Sequence, residues 1–171
     1  MRSSRCAITA AIVLATATMV QAPQVRAAEA GSAATAVGSC QASLPASAAN
    51  LRMRPLAIRN EGSTNVFVSC GAQGGYDPIL VDSAAVIATN LNTAAVDLTC
   101  TLIDGPLQVL AFYYPKTVSL EPNITVAMAW LPSDSGGTTF SGSENFSCIL
   151  PPGVELNIVG FTYQSAPPTA P

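Results

Sequence analysis

The chain has 171 residues, 49% of them hydrophobic, with seven basic residues, ten acidic residues and no histidine. The missing histidine removes Ser-His-Asp and Cys-His catalysis, imidazole acid–base chemistry and most transition-metal sites. The acidic balance disfavours nucleic acid, whose binding needs a basic stripe, and the length suits one domain.

Arg2 and Arg5 give a positive start, Ala7 to Val20 is apolar or small, and Ala-x-Ala-like sites follow at Val25-Arg26-Ala27 and Ala28-Glu29-Ala30. This is the pattern of a secretory signal peptide over 1–30, cleaved near 27 or 30. Its apolar core is too short to span a bilayer, which takes about 20 residues, and Cys6 precedes that core, so it leaves with the leader. From Ala28 onward four basic residues face ten acids, a net charge of −6. No later run is long enough to cross a membrane, so the expected mature chain is secreted or periplasmic, without a membrane span and without a nucleic-acid partner. Cys40, Cys70, Cys100 and Cys148 remain. An even set behind an export signal reads as a disulfide framework with three possible pairings. No CxxC occurs, so no zinc site is expected.

Residues 31–39 are small and featureless and read as a flexible lead-in to a domain over 40–164. Leu51 to Arg59 is the first strand, with its parity broken at Pro55. A turn at Asn60-Glu61-Gly62-Ser63 leads into Thr64 to Cys70, and the short link predicts a hairpin. Gly71 to Pro78 is glycine-rich. It lacks the Lys-Ser/Thr of a P-loop and the setting of a dinucleotide fingerprint, so it reads as a connection. Ile79 to Ala88 is a weaker strand and Asn90 to Thr93 a turn. Val96 to Ile103 alternates strongly, with Val96, Leu98, Cys100 and Leu102 on one face. Leu107 to Tyr114 is apolar on both parities. Thr117 to Leu120 and Asn123 to Leu131 follow, the latter with Ile124, Val126, Met128 and Trp130 in phase, which places Trp130 in the core. Asn145 to Leu150 and Val154 to Tyr163 form a closing hairpin around Pro151-Pro152-Gly153, with a bulge expected at Gly160. The tail 165–171 is rich in Pro and Ala and is expected to be disordered. No internal repeat is visible. Short alternating runs between turn clusters predict an all-β, antiparallel sandwich of about nine strands.

Few residues invite chemistry. The single mature lysine, Lys116, reads as a solvated side chain rather than half of a Ser-Lys dyad. The acids sit singly: Asp77, Asp82, Asp104 and Asp134 fall in loops, where Asp shapes turns, and no EF-hand loop occurs. Of the aromatics, Tyr76, Tyr113 and Tyr114 are the candidates for an exposed ligand contact, because one of two successive strand residues must face outward. Asn123-Ile124-Thr125 and Asn145-Phe146-Ser147 match the glycosylation sequon; the composition points to a bacterial source, which discounts both.

The motifs Val96-Asp97-Leu98-Thr99-Cys100-Thr101-Leu102 and Phe146-Ser147-Cys148-Ile149-Leu150-Pro151-Pro152-Gly153 resemble a loose group of uncharacterised exported bacterial β-sandwich proteins, with a VxxTCTL strand and a CxLPPG strand end. Val66 to Cys70 corresponds to an earlier cysteine strand, with Gly71 after it where the group tends to have proline. The resemblance implies the sandwich and a Cys100–Cys148 bridge, and no activity. Parity supports that bridge separately, since both cysteines share the apolar face of their strands. Cys70 also faces inward, and Cys40 lies within reach of it, so Cys40–Cys70 is the preferred second pair. The expected function is that of an exported, non-enzymatic structural or interaction domain with no cofactor and an unknown protein or glycan partner. The alternatives are a carbohydrate-binding module and, behind it, a hydrolase using paired carboxylates.

Overall fold

The computed structural model describes residues 29–72, 81–105, 111–141 and 144–164. The expected leader through residue 28, the tail 165–171, Tyr76 and most of the glycine-rich connection lie outside them. The described chain is an antiparallel β-sandwich, as the alternation predicts. One sheet holds β1 (Glu29–Thr35), β3 (Leu51–Arg54), β4 (Ala57–Asn60), β6 (Val81–Asn90), β9 (Thr125–Trp130) and β11 (Val154–Gln164), in the order β3-β4-β11-β6-β9. β1 pairs with β11 alongside. The other sheet holds β2 (Cys40–Ala42), β5 (Val66–Gly71), β7 (Val96–Asp104), β8 (Phe112–Leu120) and β10 (Glu144–Leu150), in the order β2-β5-β10-β7-β8. A one-turn helix α1 (Ala36–Ser39) and a 3₁₀ helix (Pro45–Asn50) complete the N-terminal part.

The strand inventory differs from expectation in three places. Leu51–Arg59 is two strands, because Pro55-Leu56 turns the chain and β3 pairs back on β4, with Met53 opposite Ile58. Phe112–Leu120 is one strand that runs through Pro115; as the edge strand β8 it leaves the missing N–H of Pro115 without cost. The small run expected as a lead-in is ordered: Gly31 to Thr35 pair with Thr162 to Ile158 of β11, and α1 follows directly.

The two expected hairpins are arches. β4 lies in one sheet and β5 in the other, and the same holds for β10 and β11. β6–β7 and β8–β9 cross between the sheets in the same way. Alternation cannot separate the two cases, since each strand turns one face to the core whether the link stays in a sheet or crosses. The arches also reveal a repeat that the sequence reading missed. Asn60-Glu61-Gly62-Ser63-Thr64-Asn65-Val66-Phe67-Val68-Ser69-Cys70 corresponds to Asn90-Leu91-Asn92-Thr93-Ala94-Ala95-Val96-Asp97-Leu98-Thr99-Cys100. In each copy the leading asparagine is fully buried. Asn60 Nδ2 donates to the carbonyls of Thr64 (2.8 Å) and Leu150 (2.8 Å), and its Oδ1 accepts from Gly62 N at 3.0 Å. Asn90 Nδ2 donates to Ala94 (2.9 Å) and Leu120 (2.8 Å), and its Oδ1 accepts from Asn92 N at 2.9 Å. Each side chain closes its own arch and ties it to a neighbouring one, at Leu150 for Asn60 and at Leu120 for Asn90. The repeat is hard to see because only Asn60/Asn90, Val66/Val96 and Cys70/Cys100 are identical, Ser63/Thr93, Val68/Leu98 and Ser69/Thr99 are conservative, and pairs such as Phe67/Asp97 differ in kind.

The core between the sheets is Ile58, Val66, Val68, Val86, Leu98, Leu102, Leu120, Met128, Trp130, Phe140, Phe146, Leu150, Leu156 and their neighbours. Trp130 is buried as predicted; its Nε1 donates to Tyr114 O (2.7 Å) and its ring lies 5.5 Å from that of Phe146. Both disulfides form as preferred, Cys40–Cys70 and Cys100–Cys148. Each joins directly opposed residues of adjacent strands in the five-stranded sheet, so they lock strand register and do not staple one sheet to the other.

The parity shift in β11 comes at Asn157, where the register against β6 slips between Leu156 and Ile158, and the inward row continues at Val159 and Phe161. Gly160 has another task. A Cβ there would stand 2.6 Å from Ser32 O and 3.0 Å from Ala33 Cα, so only glycine lets β1 approach β11. Gly160→Val is expected to release β1 at a cost of about 1–3 kcal/mol, the usual range for overpacking. Amide exchange over Glu29–Thr35 would rise while the protection of β6 and β9 stays.

Candidate functional site

The outward face of the five-stranded sheet carries the site. Because Cys70, Phe146 and Leu102 point inward, their neighbours Ser69, Gly71, Asn145 and Ile103 point out. Register then aligns them across the sheet. Gly71, Asn145, Ile103 and Tyr113 form one row, and Gln41, Ser69, Ser147, Thr101 and Pro115 form the next. Over these rows lies a half-open groove of about 440 Å³, bordered by Ser39, Gln41, Ser69, Asn145, Ile103 and Tyr113. That volume falls within the usual range for ligand sites, about 300–1,000 Å³. From β5 to β8 the row spans three strand spacings, about 14 Å.

Its chemistry is neutral. Among the described residues, no carboxylate, ammonium or guanidinium lines it. Tyr113 is 55% exposed and offers an aromatic ring and a hydroxyl. The amides of Gln41 and Asn145 each carry donors and an acceptor. Ser69 Oγ shares a 2.7 Å hydrogen bond with Ser43 Oγ, which positions it. Gly71 leaves room beside Asn145: a Cβ there would meet Asn145 Oδ1 at 3.6 Å.

Of the residues singled out by sequence, Tyr113 lies in this groove and Tyr76 lies outside the described residues. Tyr114 faces the other way. It is half-buried against Phe140, with ring centroids 5.7 Å apart, so it is no surface contact. Burial, and then the nearby Asp104 carboxyl, push its hydroxyl pKa up from the ordinary tyrosine value. Gln41, Ser69 and Asn145 were not identified by sequence as contacts. In the sequence Asn145 stands out only as part of a sequon. The other sequon residue, Asn123, lies in the turn before β9 with φ 56°, not inside a strand.

Two further expectations change. Lys116 is not simply solvated. Its Nζ donates to Asp134 Oδ2 (2.8 Å) and to Ala129 O (2.6 Å), which links the edge strand β8 to β9 across the open side of the sandwich. The hydrogen bond from Lys116, followed by that from Leu131 N, holds the Asp134 carboxyl below its ordinary pKa. This contribution to stability is present above the usual carboxylate range and fades as pH falls through it. Asp104 is not a turn-shaping loop residue. It ends β7, is buried, stands opposite the buried Glu144, and accepts hydrogen bonds from Ser141 N (2.8 Å) and Ser141 Oγ. Both carboxyl groups alternate away from the groove face.

No family model matches the chain, and no curated protein matches it. Among solved structures it is similar to an exo-β-1,3-galactanase from Phanerochaete chrysosporium with galactose (TM-score 0.45, 11% identity, 78% of this chain and 29% of that one). It is also similar to an agarase (TM-score 0.40, 10% identity, 77% and 25%) and to CBM35 from Paenibacillus barcinonensis (TM-score 0.35, 10% identity, 78% and 98%). The chain thus spans about a quarter to 30% of the length of the two enzymes. At these TM-scores the likenesses carry no argument about function.

Proposed function

We propose that this chain is an exported, non-enzymatic interaction domain whose groove on the five-stranded sheet binds an uncharged, hydroxyl-rich ligand, a neutral glycan. The observation that carries the reading is the aligned row Asn145–Ile103–Tyr113 beside Gln41 and Ser69, without a charged side chain among the lining residues. Amides and hydroxyls exchange hydrogen bonds with sugar hydroxyls at little desolvation cost, whereas a charged ligand would find no counter-ion among the described lining residues. Tyr113 supplies an apolar face and a polar tip. Export is supported by the leader pattern and by the two disulfides, which persist in oxidising compartments.

An array of neutral and acidic glycans tests the reading. Wild-type protein is expected to retain neutral glycans, and Tyr113→Ala or Asn145→Ala to weaken the best one at least tenfold, about 1.4 kcal/mol. No retained glycan, or retention unchanged in both variants, overturns it.

A further inference from the structure

The β3 edge of the sandwich, next to β2, carries a different surface. There the edge strand β3, its turn and β4 present Arg52, Arg54 and Arg59, the only arginines among the described residues. Arg52 and Arg54 share the outward face of β3. Met53, on the other face, is 65% exposed, and Leu56 at the tip of the turn is 72% exposed. Beside them, between β2, the 3₁₀ helix and β3, is a mostly apolar notch of about 280 Å³ lined by Gln41, Ala42, Ala48, Leu51, Met53 and Ile58, which meets the groove at Gln41.

Charge is divided across the molecule. Arg59 is taken up by Glu155. Glu61 pairs with Arg54 and lies 3.6 Å from Arg52 Nε, so this corner keeps one positive charge in excess. Of the other described acids, Glu29 begins β1, Asp82 lies in β6, Glu144 begins β10, and Asp97, Asp104, Glu121 and Asp134 belong to β7 and to the links around β8 and β9. Within the six-stranded sheet β6 and β9 are three and four strand spacings from β3, about 14 and 19 Å, both beyond the Debye length of about 8 Å at physiological salt. The corner is therefore locally cationic by one charge although the whole chain is acidic.

We propose that this edge docks on a lipid bilayer bearing anionic headgroups, with Leu56 and Met53 entering the interface and Arg52 and Arg54 on the phosphates. Charge complementarity calls for an anionic partner. The protruding Leu56 and Met53 gain nothing from a dissolved polyanion and gain burial from acyl chains. Arginine suits phosphate through its planar fork and lets its stem lie along apolar surface.

The test is co-sedimentation of the purified exported form with vesicles of phosphatidylcholine alone or with one-third phosphatidylglycerol. At low salt the protein is expected to sediment with the anionic vesicles and to stay in solution with the zwitterionic ones. The variants R52Q/R54Q and L56D, all at exposed positions, are each expected to weaken binding at least tenfold. Glu61→Gln, which frees both arginines, is expected to strengthen it severalfold. Wild-type protein left in solution with anionic vesicles overturns the proposal. So does equal binding to both vesicle types, or an L56D variant that sediments like wild type, which would mean attraction to charge alone.

Discussion

Replacing Cys100 and Cys148 together by alanine is expected to cost about 4 kcal/mol, from the loop closed by a 48-residue separation. In a domain of this size that lowers the melting temperature by roughly 10–15 °C. The bridge joins β7 and β10 in the middle of their sheet, and both cysteines are fully buried, so the loss spreads through the cooperative unit. Cys40–Cys70 closes a shorter loop, with a 30-residue separation and a nominal contribution of about 3.6 kcal/mol. It ties only the three-residue edge strand β2 to β5. Its removal is expected to free β2 locally and to distort the groove at Gln41 while the rest of the fold persists. Urea denaturation of the two double variants separates these outcomes. Equal losses, or a larger loss without Cys40–Cys70, would contradict the placement of the bridges.

The second large effect belongs to the arches. Asn60→Ala and Asn90→Ala are each expected to cost about 2–4 kcal/mol, because they remove three and four hydrogen bonds from buried sites and leave backbone groups there without their partner. Asparagine is required in kind. Aspartate has no donor for the carbonyls of Leu150 or Leu120 and would set a buried charge against them, so Asn60→Asp should be worse than Asn60→Ala. Losses below about 0.5 kcal/mol in both single variants would show that the arches close without these side chains.

Much of the architecture could be read directly from the chain. Val96–Asp104 and Thr125–Trp130 alternate so regularly that strand, inward face and the burial of Cys100 and Trp130 all follow. The cysteine parity that favours the two bridges is local in the same sense. What sequence could not supply depends on partners distant in the chain. Glu29–Thr35 is built from Ala, Gly, Ser and Thr around one Glu and has little strand propensity of its own; it is a strand because β11 offers an edge and Gly160 lets it approach. Pro55 looked like a break within one strand, but a two-residue turn there makes two strands. At the groove, Tyr113 was legible because one of two adjacent tyrosines must face outward. Gln41, Ser69 and Asn145 come from three separate stretches and meet only through register, so no local pattern marks them as a set.

The groove is the centre of the functional reading, and backbone amide shifts during titration with the best-retained neutral glycan test it most directly. The expected shifts gather on Gln41, Ser69, Ile103, Tyr113 and Asn145, on one face of one sheet. Saturable shifts that gather instead on the outer face of the six-stranded sheet, around Ala85, Ile87 and Ile158, would contradict it.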